Sequence, residues 1–192
     1  RDDATADAET FKQSVATRWP DIAASRLPVT PVDSWAFEPE AARAIDPLMG
    51  WTSSNSTEFD PDTDYPVISL LSEQRNVKDM GGTMRLGANQ ARLLHGSLAH
   101  DAYGTDLISE RHRHRYEFNN KYLKEMEEKG FRMTGTLEGG SLCEVAEIKD
   151  HPWMLGVQFH PEFKSKPIAP HPLFLAFIGA TIRSMKENPT YA

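Results

Sequence analysis

The stretch that most constrains this fold is Met154-Leu155-Gly156-Val157-Gln158-Phe159-His160-Pro161-Glu162-Phe163. Its apolar run from Met154 to Phe159 has the length and composition of a strand packed on both faces. Pro161 has no N–H to donate, so a ladder stops at His160. The residues therefore predict a strand that runs into a turn and delivers an imidazole, with a carboxylate two positions later. That pair is the orienting half of a nucleophile–histidine–acid triad: the acid fixes the ring tautomer and stabilises the imidazolium. His-Pro-Glu alone also reads simply as a turn after a strand.

At 192 residues the chain is long enough for one domain with a sizeable core. A net charge of −7 argues against a general nucleic-acid or membrane-surface role, which needs basic patches. No apolar run reaches the roughly 18 residues of a spanning helix, and no signal-peptide pattern opens the chain. The single cysteine, Cys143, excludes an internal disulfide and a Cys-rich metal site. Beginning at Arg1 without methionine, the chain is expected to be processed or partial. It reads as intracellular, in the cytoplasm or in an organelle after removal of a targeting segment.

Residues 1–33 are expected to form an arm, a short helix on Phe11, Val15, Trp19 and Ile22, and a proline-rich linker; 34–186 form the domain and 187–192 a tail. Pro39 opens a helical turn toward Ile45. Trp51 to Pro66 reads as an acidic loop. Asp60, Asp62 and Asp64 alternate like oxygen ligands, but the glycine and distal glutamate of a calcium loop are absent, so no metal is expected. Strand-like runs follow at Val67–Leu71 and Thr83–Leu86, with short pieces at Ala91–Leu94 and Leu107–Ile108. Phe118 to Lys129 predicts the clearest helix, closed by Gly130. Phe131–Leu137, Cys143–Ile148 and Trp153–Phe159 predict three strands, and a last helix follows Pro172 with Phe174, Phe177, Ile178 and Ile182 on its apolar face.

Gly-Val-Gln-Phe-His-Pro-Glu-Phe followed by His171-Pro172-Leu173-Phe174 resembles the end of class I glutamine amidotransferase domains, particularly those of the CTP synthase family. Three further segments match in order: Asn55–Thr63, Gly81–Gly87 and Glu110–Glu117. The resemblance implies an α/β fold: a truncated flavodoxin-like amidotransferase domain, a mixed sheet with flanking helices. It also implies that His160 and Glu162 are the catalytic remnant. Glu58 and Arg115 match residues that grip the amino and carboxylate ends of glutamine, and Tyr116 adds backbone contacts. Arg85 falls in the segment that serves GTP activation in that family. A zwitterion needs one anion and one cation, and arginine can clamp a carboxylate bidentately. The arginines and histidines of 111–115 also read as a strand with alternating exposed charges.

The departures from the family pattern matter most. Its nucleophile is a cysteine on a tight glycine-flanked elbow. The elbow would fall near Val32-Asp33-Ser34-Trp35-Ala36, where Ser34 lacks a low thiol pKa and Val32 and Trp35 suit a strained turn poorly. No glycine precedes Ser34, so the oxyanion loop is missing as well. Cys143 reads as core packing. No G-x-x-x-x-G-K-[ST] occurs, so this polypeptide does not carry ATP-driven amination of UTP. The expectation is a non-catalytic subunit, with no cofactor, held by other protein chains in a stable assembly because missing strands leave edges and apolar surface to cover. Two alternatives stand beside it. One is a sensor binding glutamine or GTP without turnover; the other is the glutaminase part of a UTP-aminating enzyme whose nucleophile lies outside this chain.

Overall fold

The computed structural model describes residues 45–70 and 84–187. The expected N-terminal arm and helices, the Ser34 elbow, Gly81-Gly82 and nearly all of the tail lie outside them. A short helix α1 (Asp46–Met49) carries Pro47 in its first turn and ends on Gly50 at φ +73°. Two sheets follow. β1 (Ser54–Ser56) runs parallel to β2 (Tyr65–Ser69), which pairs antiparallel with β5 (Glu117–Phe118). The larger sheet has the order β4-β3-β6-β7-β8. Its strands are β3 (Arg85–Leu93), β4 (Leu107–His114), β6 (Phe131–Leu137), β7 (Cys143–Ile148) and β8 (Leu155–Val157), all antiparallel to their neighbours. Helices α2 (Leu98–Tyr103), α3 (Leu123–Glu128) and α4 (Pro172–Glu187) flank them. This is the expected α/β architecture with a mixed sheet. No helix of the described residues is long and apolar enough to cross a membrane.

Several elements differ from the sequence expectation: β1 and the start of β2 lie in the stretch read as a loop, and the strand expected over Trp153–Phe159 is only Leu155–Val157. β3 is one nine-residue strand and β4 an eight-residue one, where apolar patterning suggests fragments. The missing signal is polar: the shared inner face pairs Arg85 with His114, Gly87 with His112 and Asn89 with Glu110, so the ladder rather than hydrophobic alternation defines the strands. The helix expected over Phe118–Lys129 is also shorter. Glu117 and Phe118 pair with Ser69 and Ile68, and Asn119 caps a 3₁₀ turn by accepting from Lys121 N–H. The helix proper starts only at Leu123.

The core has two parts. Met49, Val67, Ile68, Phe118, Met126 and Phe131 form one. Leu93, Ala99, Ile108, Val145, Phe159 and Leu173 form the other. Gly135 is needed where β6 bulges across β7: a Cβ there would lie 2.7 Å from Val145 Cγ2 and 2.8 Å from Val145 Cβ. A branched side chain on the facing strand cannot swing aside. Gly135→Ala is expected to cost about 1–3 kcal/mol by overpacking, read as a lower urea midpoint at unchanged slope.

Candidate active site

His160 is placed just beyond β8 by backbone bonds to β7 and β4. Beyond β8 the chain continues with Gln158 N–H donating to Glu144 O (3.0 Å) and His160 N–H donating to Arg111 O (2.9 Å). Phe159, fully buried, wedges between these two anchors. Pro161 then opens a 3₁₀ turn, Pro161–Phe163, and Phe163 N–H closes on His160 O at 3.1 Å. The turn swings Glu162 back so that its Oε1 lies 2.6 Å from His160 Nδ1. The Phe163 ring stacks on the imidazole, centroids 4.7 Å apart and planes 13° apart. A carboxylate accepts the Nδ1 proton, so Nε2 carries the lone pair of a general base. That Nε2 is buried and has no hydrogen-bond partner among the described residues.

Next to this pair lies a buried polar network that the sequence does not announce. On β4, Ile108, Glu110 and His112 are buried while Leu107, Ser109, Arg111 and Arg113 are exposed. The polar alternation is therefore real, but the histidines and Glu110 face inward. His114 Nδ1–H donates to Tyr116 O (3.0 Å), leaving its Nε2 to accept from His112 Nδ1–H at 2.8 Å. His112 Nε2 then points a lone pair at Glu144 Oε2, 3.5 Å away. Two acceptors face each other there unless the carboxyl holds a proton. Burial favours that proton, raising the Glu144 pKa to about 7 against the pull of Arg85. Burial likewise pushes His112 down to about 3 and His114 to about 4, with Arg85 adding to both.

The residues expected to grip ligands lie in different environments. Arg85 is turned inward: its Nη1 donates to both Glu117 oxygens at 3.3 and 3.2 Å, and its Nη2 lies 2.7 Å from Glu144 Oε1. The Nη2 contact is a close ion pair whose angles fall outside hydrogen-bond geometry. Arg115 and Tyr116 sit half-buried in the bend between β4 and β5, and Glu58 is exposed in the turn after β1. Cys143 is buried in β7 with its thiol against Val145 O at 3.6 Å. Burial pushes that thiol far above the ordinary range, with Glu144 and Glu117 adding to the shift, so it does not supply a thiolate at neutral pH.

A histidine past a strand end, held by the carboxylate of the following turn on a mixed α/β scaffold, has the geometry of the histidine–acid half of a nucleophile–histidine–acid triad. This chain belongs to the glutamine amidotransferase class-I family, whose model matches residues 48–180. CTP synthases are among the proteins it is similar to. That of Protochlamydia amoebophila (strain UWE25) is 64% identical over 135 residues, 70% of this chain and 25% of that protein. That of Methanothermobacter thermautotrophicus is 56% identical over 135 residues, again 70% and 25%. The chain thus spans about a quarter of the length of the curated relatives it matches. Among solved structures, the Trypanosoma brucei CTPS glutaminase domain with bound acivicin matches with a TM-score of 0.65 and 31% identity, covering 74% of this chain and 55% of that one.

Proposed function

We propose that this chain is the acid–base half of a glutaminase site of the CTP synthase type, unable to hydrolyse glutamine by itself and working as a subunit of a larger protein assembly. The observation that carries the proposal is the His160–Glu162 pair at 2.6 Å with Nε2 buried and unpartnered, while the chain's sole thiol is packed away in β7. A base aimed into the protein interior serves a nucleophile brought to it, and none of the described side chains meets it. Likeness to a glutaminase domain holding acivicin supports glutamine as the ligand, with Glu58, Arg115 and Tyr116 as its grips. Arg85 acts here as structural charge, since both its carboxylate partners lie inside the fold. In this reading the ammonia released in the assembly serves amination of UTP, with ATP and UTP bound by other parts.

The test uses a diazo-ketone analogue of glutamine and an ammonia assay. The chain alone is expected to give no adduct and no ammonia. Activity is expected once a polypeptide supplying a cysteine elbow is added, and His160→Asn then lowers it by roughly 10²–10⁴-fold. Ammonia release by the chain alone, or an adduct on Cys143, overturns the reading.

A further inference from the structure

Glu162, the acid of the pair, is not held by burial: its side chain is 41% exposed, against 10% for His160. An exposed carboxylate on a flexible stem samples several rotamers, so its 2.6 Å contact needs another source of order. That source lies on the far side of the turn. Both ends of the turn are tied to the same three residues of β4. His160 N–H donates to Arg111 O at one end, and Lys164 Nζ donates to Ser109 O (2.6 Å) at the other. Lys164 Nζ also reaches Glu110 Oε1 at 3.0 Å.

Glu110 is only 1% exposed and gathers donors from three other elements onto that one oxygen. Tyr103 OH, at the end of α2, donates at 3.1 Å. His171 Nε2, at the start of α4, lies at 3.2 Å, and its Nδ1 accepts from Leu173 N–H at 3.3 Å, which places the ring proton on Nε2. His171 N–H is held in turn by Ser165 Oγ (3.1 Å), and Ser165 N–H returns to Pro161 O (3.2 Å). The loop from His160 to His171 is thus closed on itself and bolted to β4 through Glu110. Burial by itself would push this carboxyl up, but the donors from His171 and Lys164 outweigh it and hold it below the ordinary carboxylate range. It stays an anion, the form that keeps Lys164 in place.

We propose that Glu110 is a positioning residue: with Lys164, His171 and Tyr103 it sets the turn so that Glu162 meets His160 Nδ1. The proposal takes His160 and Glu162 as the acid–base pair of the glutaminase reading. Its test reads that hydrogen bond rather than ammonia release, so the two fail separately. In the full chain labelled with ¹⁵N-histidine, the His160 Nδ1 proton is followed by NMR together with the melting temperature.

Lys164→Met is expected to speed exchange of that proton with water about tenfold, the scale of one lost charge-assisted hydrogen bond, and by more than the accompanying fall in melting temperature accounts for. Lys164→Arg restores slow exchange. Glu110→Gln, if folded, gives a larger acceleration than Lys164→Met. Unchanged exchange and unchanged His160 tautomer in folded Lys164→Met overturn the proposal. So does acceleration matched by an equal fall in overall stability, since a purely structural role would produce that.

Discussion

Arg85→Met is expected to lower the unfolding free energy by about 3–5 kcal/mol at pH 8, the cost of leaving a buried carboxylate without its cation. Among the described residues, Arg85 is the one cation in direct contact with both Glu117 and Glu144, whose side chains are 1% and 0% exposed. The three come from β3, β5 and β7, so the guanidinium ties the small sheet to the large one. One positive charge is too little for two buried carboxylates. Burial accordingly drives the pKa of each above the ordinary carboxylate range despite the pull of Arg85. Without the arginine both rise further and take up protons, so the loss is expected to shrink on going to pH 5.5. Adding Glu117→Gln and Glu144→Gln to Arg85→Met is expected to recover part of the loss, because neutral amides need no counter-charge. Urea denaturation at the two pH values checks this. A change under 1 kcal/mol at pH 8 would show that the network carries no net charge burden.

The same network marks where the sequence was legible and where it was not. The strands Phe131–Leu137 and Cys143–Ile148, and the helix after Pro172, could be read because apolar residues line their buried faces. The His160 turn could be read because Pro161 opens it, although the strand before it ends earlier than expected, at Val157. β3 and β4 could not, because their inner face is built from Arg85, His112, His114, Glu110 and Asn89, and hydropathy treats such residues as surface. The signal was the strict two-residue spacing of Glu110, His112 and His114, which places all three on one side of a strand whatever their polarity. Arg85 illustrates a second limit. Family resemblance assigns it to a ligand, and only the fold brings Glu117, 32 residues away, to clamp it from inside. Glu110 lay within a matched segment, yet its meeting with Tyr103, Lys164 and His171 depends on four elements converging, which spacing along one chain does not encode.

Through His112, His114 and Glu144 alone, acidification from pH 7 to pH 5 is expected to weaken the native protein by about 2 kcal/mol, and Glu144→Gln to raise that contribution to about 4 kcal/mol. The direction follows from where protons bind. His112 and His114 titrate in the unfolded chain near 6.5, but burial, reinforced by Arg85, holds them near 3 and 4 in the fold. Below pH 6.5 the unfolded state therefore binds protons that the folded state refuses, and stability falls until the pH reaches those lower values. At pH 5 each histidine contributes about 2 kcal/mol of loss, at 1.36 kcal/mol for each pH unit below its unfolded pKa. Glu144 works in the opposite sense. Its carboxyl holds a proton up to about pH 7 in the fold but only to about 4.5 when unfolded. Folding is thus penalised at neutral pH, and acidification relieves about half of what the histidines lose. An amide at position 144 titrates in neither state, which removes the relief and leaves the histidine loss exposed. The facing groups Arg85, Glu117 and His160 stay in place in this variant, so the comparison isolates one proton. Equal pH sensitivity of the native and Glu144→Gln proteins in urea titrations would mean that Glu144 is already ionised at pH 7, and that the lone pair of His112 Nε2 faces a bare carboxylate.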